Sequence, residues 1–218
     1  MMGFPLLLYD ELKGFYKSYV MIFLLIFVPL IAVLVYAFAP IDIDEKMFFT
    51  SIIVSSLGGI LSAALLSANI INEMDSKTYD LFLIRPIKRW NIILSKYLAV
   101  VICVSVACML SLAVNIIGYW FEFSALPDAQ FFDIVNITIL TFSFIAIGSS
   151  FGLLMGVAIP SLVGAVIIDI FIGQYLMYIP FFLGQITDDP TLWTAVFAIG
   201  LMVGLTGLSI VLFNRKDF

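Results

Sequence analysis

Few side chains in this chain could do chemistry, and their types narrow what that chemistry is. No histidine occurs anywhere, which excludes imidazole acid–base work and histidine-based zinc sites. The two cysteines, Cys103 and Cys108, stand five positions apart in one apolar run. That spacing takes them off a common helix face, so ordinary buried thiols are expected rather than a disulfide or a metal site. One carboxylate, Asp169, lies deep in apolar sequence, in AVIIDIFIGQY. A carboxylate in hydrocarbon costs roughly 2.5–3.5 kcal/mol on insertion scales, so it must face a cavity, pair, or hold a proton. No basic residue is expected within any span to pair with it, although Gln174 follows and Gly164 and Gly173 leave open backbone nearby. Asp169 and Gln174 are therefore candidates for a pathway for a polar or cationic solute. Asn69 and Asn115, in the inner and outer thirds of their runs, are weaker candidates for the same pathway. The bland reading of all these residues is an interhelical hydrogen bond, and it weighs more for the two asparagines.

These residues sit in a chain of 218 residues that is 63% hydrophobic and only 11% charged, with a mean hydropathy of +1.19. Soluble domains carry about 25% charged residues. The apolar residues fall into runs long enough for a helix to cross ~30 Å of hydrocarbon. Barrel strands would alternate polar and apolar residues over ~10 positions, and these runs do not. The expectation is an all-α polytopic membrane protein in which residues 1–218 form a single transmembrane domain. Its spans fall at about 19–39, 47–71, 92–120, 134–159, 162–178 and 192–213. The boundary between the fourth and fifth rests on Pro160-Ser161, a helix stop followed by a good cap.

Residues 1–18 precede the first span. Phe4, Leu8, Leu12, Phe15 and Tyr19 recur at helical spacing, while Asp10, Lys13, Gly14 and Lys17 share another face. With Pro5 in the first turn, this predicts an amphipathic helix lying in the membrane interface. Six spans put both termini on one side, and every basic residue except Lys46 falls there with them. The positive-inside rule makes that side cytoplasmic, in a multi-pass plasma-membrane protein. No basic stripe suggests nucleic acid.

The longest polar passage, NEMDSKTYDLFLIRPIKRWN at 72–91, separates the second and third spans. Glu73 and Lys77 are spaced to support a helix. Tyr79, Leu81, Phe82, Leu83 and Ile84 are apolar residues held between charges, which suits docking into a groove of another protein. Pro86 ends this short helix before the third span begins.

The run Glu73, Lys77-Thr78, Leu81, Leu83 and RPIKRWNIILSKYLA (85–99), with the terminal FNRKDF, resembles the permease subunits of type-2 ATP-binding-cassette exporters. The family commonly has glycine before the threonine, where this chain has Lys77. The resemblance implies a half-transporter that pairs with a second copy of itself or a paralogous permease. It also implies that residues 72–91 couple to a separate ATP-binding-cassette ATPase subunit, with Glu73, Lys77, Thr78, Tyr79, Leu81, Phe82 and Arg85 at the contact. The chain lacks G-x-x-x-x-G-K-[ST], so it is not expected to be an enzyme or to hold a cofactor. ATP and Mg are implied on the partner subunit.

Small residues complete the reading. Gly148, Gly152 and Gly156 in the fourth span, and Gly200, Gly204 and Gly207 in the sixth, allow close helix packing within the subunit or across a dimer. The stretch YIPFFLGQITDDP (178–190) predicts a broken or re-entrant helix, and Tyr119, Trp120, Trp90 and Trp193 are expected to anchor in the interfaces. A self-contained secondary transporter or channel built on Asp169 is the alternative. It is disfavoured by the lack of internal repeats or further intramembrane charges.

Overall fold

The structure is a computed structural model that describes residues 4–38, 43–76, 89–123, 130–186 and 190–215. Among them are α1 (Phe4–Tyr16), α2 (Tyr19–Phe38), α3 (Ile43–Asp75), α4 (Arg89–Phe123), α5 (Gln130–Ala158), α6 (Leu162–Ile186) and α7 (Pro190–Arg215). Six of these, α2 to α7, are long and apolar enough to cross a membrane. The fold is an all-α polytopic membrane bundle, with α1 lying against its rim.

α1 buries Leu7 and half-buries Phe4, Leu8, Glu11, Leu12 and Phe15, while Asp10, Lys13, Gly14 and Lys17 stay exposed. The expected amphipathic face is present with two differences. Tyr19 is fully exposed on α2, because the chain turns at Ser18, whose Oγ accepts the Val20 N–H at 3.1 Å and caps α2. Glu11, moreover, points inward with the apolar residues.

The other corrections concern helix length. α3 runs through Asn72, Glu73 and Met74 to Asp75, so the start of the polar passage is the last turn of the span. α6 continues for 25 residues through Pro180 to Ile186, and the break expected near Tyr178 does not occur. Stopping at Tyr178 would leave a helix of about 26 Å, short of the ~30 Å of hydrocarbon. Pro180 removes a single N–H on a buried face, a loss that a packed transmembrane helix tolerates. Between α5 and α6 the chain breaks at Pro160-Ser161 as expected, with Ser161 Oγ facing the Gly164 N–H at 3.4 Å.

α5 is the most enclosed span and α7 the least. The closest pairing is α3 with α5, and its cause is steric. A Cβ placed on Gly148 would strike the carbonyl of Gly59, one on Gly152 the backbone of Ala63, and one on Gly156 the Cα of Ser67. Positions 59, 63 and 67 meet 148, 152 and 156 in step, so the two helices run parallel with their backbones in contact. Gly200, Gly204 and Gly207 have nothing within 4 Å and lie on the open side of α7. They pack against none of the described helices. Trp90, Trp120 and Trp193 are exposed as interface anchors should be, whereas Tyr119 is buried.

Candidate functional site

The sequence placed its candidate residues in one loop and scattered positions; the structure gathers charge at one end of the bundle. α1 crosses the start of α4 and the end of α3 there. Lys96, about two turns inside α4, is 2% exposed. Its ammonium donates to Glu11 Oε1 at 2.6 Å and to Glu73 Oε1 at 2.5 Å. A buried ammonium is tolerable only when paired, and here two carboxylates from two other helices share it. The three residues bind α1, α3 and α4 into one unit. Lys96 is also the basic residue within a span that the sequence reading passed over. It is engaged by this cluster and not by Asp169.

A cavity of about 340 Å³ opens beside the cluster, between α1 and α3. Leu7 and Phe15 give it an apolar wall, and Asp10, Glu11, Glu73 and Asn69 give it a polar one. Glu73 Oε2 is buried, with no hydrogen-bond partner among the described residues.

Of the expected coupling residues, Glu73 is thus fixed at the end of α3. Lys77, Thr78, Tyr79, Leu81, Phe82 and Arg85 lie outside the described residues, as does the short helix expected before Pro86. Both helices from which that segment departs, α3 and α4, are held by the Glu73–Lys96 pair.

The four candidate pathway residues do not converge. Asn69 lines the 340 Å³ cavity. Gln174 is exposed on the outside of α6. Asn115 is buried between α3, α4 and α5, toward the other end of the bundle. Asp169 is fully buried on the inward stripe of α6, with Ala165, Gly173, Met177 and Phe181. Neither carboxyl oxygen of Asp169 has a hydrogen-bond partner among the described residues. Ser67 is its nearest interacting polar group, and that hydroxyl already donates to the Ala64 carbonyl at 3.1 Å. Cys103 and Cys108 are buried thiols.

Sequence reasoning missed Glu11, Lys96 as an ion-pair centre, and the Gly59–Ala63–Ser67 stripe. A signal existed for each. Glu11 falls in step with Leu7, Leu8 and Phe15, Lys96 sits among Ile92, Ile93 and Val100, and the α3 stripe repeats the four-residue period of the α5 glycines.

The family described as "Protein of unknown function (DUF2705)" matches residues 43–218, and the chain belongs to that family. The match takes in Glu73, Lys96, Asn115 and Asp169, and starts after Glu11. No curated protein matches the chain.

Proposed function

We propose that this DUF2705 member is the membrane-spanning permease subunit of an ATP-driven exporter. It would form its translocation path as a dimer, with a second copy or a paralogous permease. A separate ATP-binding-cassette ATPase, carrying ATP and Mg, would grip residues 72–91 and drive it. The α1 end would then face the cytoplasm, with both termini, in a plasma membrane.

The ion-pair cluster carries this reading. A coupling segment works only if displacement at its tip reaches the spans. Residues 77–88 follow the turn after Glu73 and precede the start of α4, and Glu73 is bonded to Lys96, which is bonded in turn to Glu11. Force on the segment therefore moves α1, α3 and α4 together instead of bending one helix end. The sequence resemblance over 73–98 and the lack of any phosphate-binding loop support the same division of labour.

The test is co-purification. Leu81→Asp and Phe82→Asp should each abolish recovery of a bound ATPase from native membranes, and with it the stimulation of that ATPase. Unchanged recovery and stimulation would overturn the assignment.

One observation favours the second reading. Asp169 is enclosed with both oxygens unpartnered among the described residues, which suits a cation- or proton-coupled carrier. That reading requires the purified chain alone, in sealed vesicles, to move a solute down an imposed proton or sodium gradient. The permease reading requires it to be idle.

A further inference from the structure

The most unusual polar face in the bundle belongs to α4. On α3, Ser55, Ser56, Ser62 and Ser67 each donate to a carbonyl three or four residues back. On α5, Thr141, Ser143, Ser149 and Ser150 do the same. These hydroxyls all close on their own helices, and Ser55 and Ser62 also reach across to Thr141 and the Ile145 carbonyl on α5. On α4, by contrast, Tyr97 Oη, Ser105 Oγ, Ser111 Oγ and both polar atoms of the Asn115 amide are buried, with no partner among the described residues. Asn115 is 2% exposed, and an amide cannot satisfy itself by back-bonding as a hydroxyl does. Left dry at that depth it would cost several kcal/mol.

Asn115 faces a chamber of about 10 Å³ where α3, α4 and α5 meet, lined also by Ser51, Ser55, Thr141 and Cys108. That is room for about one water molecule. The chamber is short of hydrogens. Ser55 Oγ contacts the Ser51 carbonyl at 2.6 Å, and Thr141 Oγ contacts the Ile137 carbonyl at 2.8 Å. The two hydroxyls also contact each other at 2.6 Å. Three contacts need three protons, and two hydroxyls supply two. Asn115 has two donors and an acceptor to spare.

We propose that this chamber is a binding site for a single water molecule, held by Asn115. The water accepts from the Asn115 amide and donates to an oxygen of the Ser55–Thr141 pair, whose own two protons serve two of its three contacts. It joins α3, α4 and α5 about 9 Å below the end of the apolar stretch at Phe121. No charged side chain lines the chamber, so the site takes a small neutral donor–acceptor molecule and not an ion. The site stands on this geometry alone, whichever transport reading holds.

The two cysteines make the test internal. Cys108 lines the chamber and is 1% exposed; Cys103, on the same helix, is 6% exposed and does not line it. X-ray radiolysis of the full chain in lipid nanodiscs generates hydroxyl radicals from bound water. In water labelled with a heavy oxygen isotope, mass spectrometry then reports which thiol is oxidised. Cys108, the less exposed thiol, should be oxidised severalfold faster than Cys103. Asn115→Leu should reduce Cys108 to the level of Cys103, and Thr141→Val should lower it in part. Thr141→Val also serves if Asn115→Leu fails to fold. Oxidation of Cys108 no faster than Cys103 in the folded wild type overturns the site. So does a Cys108 rate unchanged in a folded Asn115→Leu or Thr141→Val variant.

Discussion

α3 contacts two neighbours in opposite ways. Against α5 it presents Gly59, Ala63 and Ser67 to Gly148, Gly152 and Gly156, and the backbones meet with no room for one more carbon. Against α4 it presents polar groups at both ends: Glu73 to Lys96 at one, Ser51 and Ser55 toward Asn115 at the other. The first seam is held by dispersion over matched shapes, lost quickly when the surfaces part, together with the Ser55–Thr141 contact and the Ser62 hydroxyl donating to the Ile145 carbonyl. The second carries the Glu73–Lys96 ion pair at one end and, at the other, an Asn115 amide with no partner among the described residues, and water can serve both groups. The bundle thus has one seam, α3 with α5, that is set by close backbone contact, and another, α3 with α4 and α1, that is set by a few polar groups.

The largest effect should come from filling the fixed seam. Gly152→Leu drives a side chain into the Ala63 backbone, where no rotamer relieves the overlap, and should cost more than about 4 kcal/mol. No monodisperse protein should then elute in size-exclusion chromatography. Recovery of a folded bundle would mean that α3 and α5 are not locked as described.

Next comes the polar seam. Lys96→Met removes the shared ammonium and leaves Glu11 and Glu73 facing each other. Because both carboxylates are about a quarter exposed, the loss should be about 2–3 kcal/mol, less than for a wholly buried pair. It is read as a lower thermal midpoint in detergent. Adding Glu73→Gln should recover part of it by removing the repulsion. If the double variant is worse than Lys96→Met alone, the two carboxylates do not converge on one cation.

Asp169→Leu separates stability from function. Removing a buried carboxyl whose oxygens have no hydrogen bond among the described residues should raise stability by about 1–2 kcal/mol, while ending transport under the carrier reading. A fall in the thermal midpoint would show that Asp169 has a stabilising partner. Smallest of all, Gly204→Ala sits in open space on α7 and should change stability by no more than about 0.5 kcal/mol, upward, through helix propensity. Beside Gly152→Leu it sharpens the contrast between a glycine that is needed and one that is not.

Much of this was legible beforehand, and the reasons differ by residue. Span number and the Pro160-Ser161 break follow from hydropathy and capping, which act locally. Gly148, Gly152 and Gly156 announced a close approach by their period, but not its partner, because any small-residue stripe would serve equally. Gly200, Gly204 and Gly207 carry a similar pattern and meet nothing. Pro180 was misread because local backbone chemistry favours a break there, while bilayer thickness and a buried face favour continuation. Glu11 was hidden because an acidic residue on an amphipathic helix is ordinarily placed in water. Here it is drawn inward by a cation on another helix, 85 positions away.

By itself the sequence determined that this chain is a six-span helical bundle with a charged segment between its second and third spans. The price of burying backbone and charge in hydrocarbon leaves few other arrangements. Which helix lies beside which was decided only in three dimensions, and with it the sharing of Lys96 by two carboxylates and the placing of Asn115 at a polar junction. Helix neighbours in a membrane are chosen by the fit of surfaces and the pairing of scarce polar groups. Both are properties of two segments at once and of neither alone.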